Sequence, residues 1–226
     1  MEVPLVDLDD PRTGRLTVGR GETVVLLGPS GAGKTRLLRR LLGVGEPGRE
    51  PPLGLRVDGE PAIPTDVGRL AGWVPEGDGV FLSGTVWDNV ARPPYLPPFD
   101  PALAREALDL VGLAARSADP VAVLGRHGRR RVALARALAS QRPLLVVDGE
   151  FDPTLWALLP GIIAQAPTVE ALLLATATAG ERAWRATTVA LMSAERVLVQ
   201  APLAELAASA DRAVAEALAS VVAPPS

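Results

Sequence analysis

The 226-residue chain contains no cysteine, which excludes a disulfide framework and a thiolate metal site. Aromatic residues make up only 4% of it, and none precedes Trp73. One histidine, His127, and one lysine, Lys34, stand among residues whose remaining basic side chains are all arginine. Acidic residues number 26 and Lys plus Arg 23, a balance with no electrostatic case for nucleic acid. Long apolar runs are missing as well: residues 144–147 and 171–175 fall far short of a bilayer span. The first fifteen residues are acidic and lack the apolar core of a secretory signal. These absences predict a cytoplasmic protein that meets a membrane only through a partner. The length suits one compact α/β domain with room for a subdomain.

What is present centres on Gly28-Pro29-Ser30-Gly31-Ala32-Gly33-Lys34-Thr35, which follows the apolar run Thr23-Val24-Val25-Leu26-Leu27 and opens a helical stretch from Arg36. A buried strand feeding a Gly-rich turn and a helix N-terminus is the setting in which backbone N–H groups close around phosphate oxygens. The glycines remove Cβ obstruction, and the helix end adds partial positive charge. Lys34 is expected to reach the β- and γ-phosphates and the Thr35 hydroxyl to sit on Mg²⁺. A compact ammonium fits among phosphates where a planar guanidinium does not. That the single lysine lies here sharpens the reading.

Along the chain, residues 3–8 alternate as a strand, 9–14 turn, and 15–18 pair back. Residues 53–57 with the Asp58-Gly59 turn suggest a hairpin. Asp100 caps a helix over 100–113, with Pro101 at its first position. Residues 124–128 read as a turn into a helix reaching 138. Strands are expected at 144–148, 171–176 and 189–192, with an edge at 196–199. An alanine-rich amphipathic helix covers 204–222 and a Pro-Pro-Ser tail ends the chain. Alternating strands and helices predict a largely parallel sheet covered on both faces.

The P-loop, Trp73-Val74-Pro75-Glu76, Thr85-Val86-Trp87-Asp88-Asn89-Val90, Arg131-Val132-Ala133-Leu134-Ala135-Arg136-Ala137-Leu138 and Leu144-Leu145-Val146-Val147-Asp148 together resemble the ATP-binding subunit of ABC transporters. Each segment alone is weak; their order and spacing are specific. The resemblance implies a P-loop NTPase (RecA-like) core, about 1–77 and 141–226, and a helical subdomain, about 78–140. It also implies a homodimer or heterodimer that sandwiches ATP between one chain's P-loop and the other's signature loop, with an integral membrane subunit as partner. Val80, Phe81 and Leu82 stand either where that subunit docks or in the subdomain's own core.

Several positions depart from the family. Asp148 ends its strand, suited to orienting Mg²⁺, but Gly149 holds the place of the catalytic glutamate. Glu150 comes one residue later, where a strand would point it the other way; it serves as a base only if the backbone bulges. Ala177 holds the place of the second-site histidine. Glu76 replaces a glutamine, either as an Mg²⁺ ligand or as a surface acid. The signature reads Gly125-Arg126-His127-Gly128, in which either Arg126 and His127 reach phosphate directly or Arg126 and residues 129–131 form a solvated helix start. The missing amino-terminal aromatic implies loose base selectivity. Loss of a base alone typically costs about 10² to 10⁴ in rate, so Mg-ATP binding is expected to survive and hydrolysis to be weak or absent. Two alternatives remain at this level: a non-enzymatic regulatory P-loop module, and a small-molecule kinase with an arginine lid.

Overall fold

The computed structural model describes residues 2–44, 53–77, 79–93, 99–179 and 185–221. The chain divides into two compact units, 1–70 with 170–226, and 71–169.

In the first unit, β1 (Val6–Asp10), β2 (Gly14–Val18), β4 (Leu55–Val57) and β5 (Glu60–Ala62) make an antiparallel sheet in the order β2-β1-β4-β5. Leu8 pairs with Leu16 on one side and Leu55 on the other, and all three are buried. The first strand runs through Asp10, two residues into the expected turn, because the buried Asp10 carboxylate itself builds the turn. It accepts from Arg12 N, Thr13 N and Thr13 Oγ1 at 3.0–3.2 Å.

The unit's second sheet is organised on β3 (Thr23–Leu27), which lies parallel to both β8 (Ala171–Thr176) and β9 (Thr188–Ser193). Val24, Val25, Leu26 and Leu27 are fully buried, each side chain contributing about 1.5–3 kcal/mol by area. Strand β10 (Arg196–Ala201) adds to β9 antiparallel. Their turn places the non-glycine residues Ala194 and Glu195 at φ 46° and 65°. Helix α1 (Lys34–Leu41) buries Leu37, Leu38 and Leu41, carries Arg39 and Arg40 in its last turn, and ends in a Schellman turn. Helix α2 is Pro64–Leu70.

The single helix expected over 204–222 is instead two, α7 (Leu203–Ala207) and α8 (Arg212–Ala219). Asp211 interrupts it by accepting from Ala213 N and Val214 N at 2.8 and 3.2 Å, a cap that starts a new helix. Residues 222–226, including the expected tail, and the expected subdomain boundary at 78 lie outside the described residues.

The second unit holds the parallel pair β6 (Ala71–Val74) and β7 (Leu144–Asp148), with Trp73 opposite Val146. Its helices are α3 (Val86–Ala91), α4 (Pro101–Leu110), α5 (Arg126–Ala139) and α6 (Pro153–Ala164). Helix α5 packs on α3, α4 and β6. The Asp100 cap and Pro101 start of α4 stand as the sequence predicts. Helix α5 begins at Arg126, so Arg126 and His127 form its first turn rather than a preceding loop.

Candidate functional site

In the first unit the chain leaves β3 at Gly28 and enters α1 through Gly33, the helix N-cap. Gly33 has φ 93°, a conformation that L side chains rarely adopt. A Cβ there would also stand 3.0 Å from Glu195 Cγ. Gly28 is buried, and Ser30 and Gly31 are exposed at the tip. Lys34 folds its ammonium back over the loop, donating to Gly28 O at 2.6 Å and Pro29 O at 2.9 Å. The β9–β10 turn supports the loop, with Glu195 N donating to Ala32 O at 3.0 Å. The Glu195 carboxylate also accepts from Arg36 Nη1 at 2.7 and 2.8 Å. The half-buried Thr35 follows in the first helical turn.

Asp148, Glu76 and Glu150 lie in the second unit. Asp148, 2% exposed, ends β7. Gly149 follows at φ 79°, and a Cβ built on it would lie 3.5 Å from Glu76 Cγ and 4.0 Å from Arg130 Nη2. Glu76 and Glu150 are exposed. Arg130, 2% exposed, donates to Asp148 O at 2.8 Å and to Pro75 O, and its guanidinium lies 5.0 Å from the Phe151 ring centroid. Burial lowers its pKa, opposed by the charges of Asp148 and Glu76. The solvated helix start is therefore overturned for Arg130: a guanidinium is buried readily where its N–H groups meet carbonyls. Its neighbours are also engaged, Arg129 with Leu124 O and Ala122 O, Arg131 with Val111 O.

Residues 12–152 match the family model described as ABC transporter. The chain belongs to the ABC transporter family. It is 39% identical over 142 residues to a sulfate/thiosulfate import ATP-binding protein of Chromobacterium violaceum, covering 58% of this chain and 38% of that protein. A zinc import ATP-binding protein of Chromohalobacter salexigens is 36% identical over 134 residues, covering 59% of this chain and 50% of that protein. The chain thus spans half or less of the length of these curated relatives. Among solved structures, cbiO1 from Clostridium perfringens, part of the ABC transporter complex cbiONQ, superposes with a TM-score of 0.73 at 19% identity, covering 92% of both chains. The fold is that of a P-loop NTPase of the ABC type.

Residues 125–128 start a helix. Gly125 is the N-cap without a side-chain hydrogen bond, and no acidic residue occupies the first turn. Arg126 and His127 are exposed, and His127 Nδ1 lies 4.0 Å from Asp152 Oδ2. Asp152 caps α6 through Leu155 N at 3.0 Å and also faces Arg131 Nη2 at 3.7 Å. The cap was legible in Asp152-Pro153, a residue favoured at the N-cap before one favoured at N1.

Residues 79–85 are held by the half-buried Arg136 and the buried Asn89, two side chains to which the sequence reading gave no role of their own. Arg136 donates to Gly79 O and lies 5.3 Å from the Phe81 ring centroid; burial pushes its pKa down to about 10. Asn89, 1% exposed, accepts from Phe81 N at 2.8 Å and donates to Ser83 O and Thr85 O at 3.3 and 3.0 Å. Phe81 is half-buried on this support, while Leu82 is 58% exposed.

Magnesium takes oxygen donors, characteristically one or two carboxylates together with water and substrate phosphates. In the second unit, Asp148 and Glu76 are carboxylates of that kind. No group of three or more His, Cys, Asp or Glu able to hold a metal occurs among the described residues. Two carboxylates suit a cation whose other oxygen donors are water and phosphate.

Proposed function

We propose that this chain is the ATP-binding subunit of an ABC transporter or a membrane-linked ABC complex. It binds Mg-ATP on residues 28–35, with Lys34 on the β- and γ-phosphates, and the Thr35 hydroxyl and the Asp148 and Glu76 carboxylates as magnesium groups. The observation that carries the reading is the loop itself: a left-handed Gly33 at the helix start and a lone ammonium already folded over Gly28 and Pro29. The relatives' names as ATP-binding import proteins support it. The chain works as a homodimer or heterodimer on an integral membrane partner, and residues 78–140 act as its helical subdomain. A similar solved structure, an ATP-binding cassette in a dimeric post-hydrolysis state with ADP and Pi, supports the dimer. Among the described residues no helix is long and apolar enough to cross a membrane, in keeping with attachment through a partner.

Hydrolysis is slow or absent. Gly149 has no side chain at the position after Asp148, Glu150 is exposed, Ala177 replaces the histidine, and Arg126 and His127 put side chains where the family has glycines. The test is equilibrium binding of ATP, ADP and GTP with and without Mg²⁺, beside Lys34→Ala, together with phosphate release. ATP binding that Lys34→Ala removes, without rapid turnover, is expected. Affinity indifferent to Lys34→Ala overturns nucleotide binding; fast turnover abolished by Asp148→Asn overturns the slow-hydrolysis reading.

A further inference from the structure

Arg130 is buried as completely as the apolar core, yet it is charged and lies one turn inside the helix that starts at Arg126. Its two terminal nitrogens serve different segments. Nη1 donates to Pro75 O, the carbonyl of the peptide unit from which Glu76 departs. Nη2 donates to Asp148 O, the carbonyl of the peptide unit between Asp148 and Gly149. The guanidinium also lies over the Phe151 ring at 5.0 Å. One planar group thus fixes two peptide planes at the spacing of its own fork, and the rigid fork makes that spacing specific to arginine. Asp148 and Glu76, the carboxylates on these segments, both act electrostatically on Arg130. Glu76 Cγ lies 3.5 Å from where a Gly149 side chain would begin, so the two segments meet at this point.

We propose that Arg130 is a positioning residue for the magnesium groups of the nucleotide site: by bridging Pro75 O and Asp148 O it holds the segments bearing Glu76 and Asp148 in register, and its charge keeps two carboxylates together before the cation arrives. The inference rests on the Mg-ATP reading above. Groups that orient metal ligands in this way characteristically change metal affinity about 10- to 100-fold when removed.

The experiment measures ATP affinity by calorimetry for the whole chain, in EDTA and in excess Mg²⁺, for wild type, Arg130→Met and Arg130→Lys. Mn²⁺ titration of the ATP complex, followed by electron paramagnetic resonance, reads the metal directly. Wild type is expected to bind ATP more tightly with Mg²⁺. Arg130→Met is expected to keep its EDTA affinity while Mn²⁺ affinity falls about tenfold or more. Arg130→Lys keeps the charge but reaches one carbonyl at a time, and is expected to recover part of the loss. Should Arg130→Met fail to fold, Arg130→Lys decides: an intact Mn²⁺ affinity overturns the proposal, and a reduced one with unchanged EDTA affinity supports it. Equal loss in EDTA and in Mg²⁺ overturns it as well, because that marks general damage. Wild-type affinity unaffected by Mg²⁺ overturns the positioning role while leaving nucleotide binding intact; no ATP binding under either condition removes both.

Discussion

The ammonium of Lys34 lies 2.6 Å from the carbonyl oxygen of Gly28, six residues earlier, so the phosphate loop is closed by its own lysine. Both partners of this bond lie in the first unit, where β3 ends and α1 begins. A triphosphate would exchange these carbonyl acceptors for phosphate oxygens without requiring the loop backbone to be rebuilt.

Lys34→Ala removes charge-assisted hydrogen bonds that characteristically contribute about 1.5–3 kcal/mol, or about 10- to 100-fold in Kd. Calorimetric titration with ATP is the measurement. Lys34→Arg is expected to recover little, because a planar fork cannot take the place of a compact ammonium between Gly28 O and Pro29 O.

Gly149→Glu places a carboxylate directly after Asp148, yet it is expected not to accelerate hydrolysis. The backbone there has φ 79°, and the new Cβ meets Glu76 Cγ at 3.5 Å. A non-glycine residue in this region costs about 1–2 kcal/mol, visible as a lower denaturant midpoint. Phosphate release from the variant, measured beside wild type, is expected to stay at the wild-type rate.

Asp10 supplies the pH dependence. Hydrogen bonding from the Arg12 guanidinium holds its carboxyl well below the usual carboxylate range, with the amides of Arg12 and Thr13 and the Thr13 hydroxyl adding to the effect against the opposing cost of burial. The folded pKa is depressed, so the stabilisation is complete above the unfolded-state value and is lost as pH falls through the folded one. Asp10→Ala is expected to lower stability by about 1–3 kcal/mol at neutral pH. The gap to wild type, followed by urea unfolding from pH 7 downward, should narrow in acid.

Asn89→Ala leaves the Phe81 amide without its side-chain acceptor and releases Ser83 O and Thr85 O. A loss of about 1–3 kcal/mol is expected. Amide exchange at Phe81 should quicken while exchange in β3, a strand of the other unit, remains slow, which separates local release of this loop from general destabilisation.

Much of the fold was legible because local chemistry and burial agree. The apolar runs at β3, β7 and β8 are buried strands, the 55–62 hairpin turns at Asp58-Gly59, and Asp100-Pro101 starts α4. What escaped sequence reading depended on partners distant in sequence. Three consecutive arginines look like a solvated face, and nothing local announces that Arg130 will meet the carbonyls of Pro75 and Asp148, 55 and 18 residues away. Helical periodicity over 204–222 hid a break because alanine continues the pattern while Asp211 caps a new start. The Ala194-Glu195 turn carries no glycine or asparagine, the usual marks of positive φ, and its link to Ala32 O is tertiary. Of the site, the strand–glycine turn–helix course around Lys34 was readable, whereas its support from Glu195 and the surroundings of Gly149 were not.

The closed loop at Lys34 has a practical side. Since no other side chain carries a primary amine, an acylating reagent aimed at lysine would attach within the chain at this one place. Its rate would register whether the ammonium is held by carbonyls or covered by a ligand, turning a single hydrogen-bonded contact into an occupancy gauge that needs no engineered label.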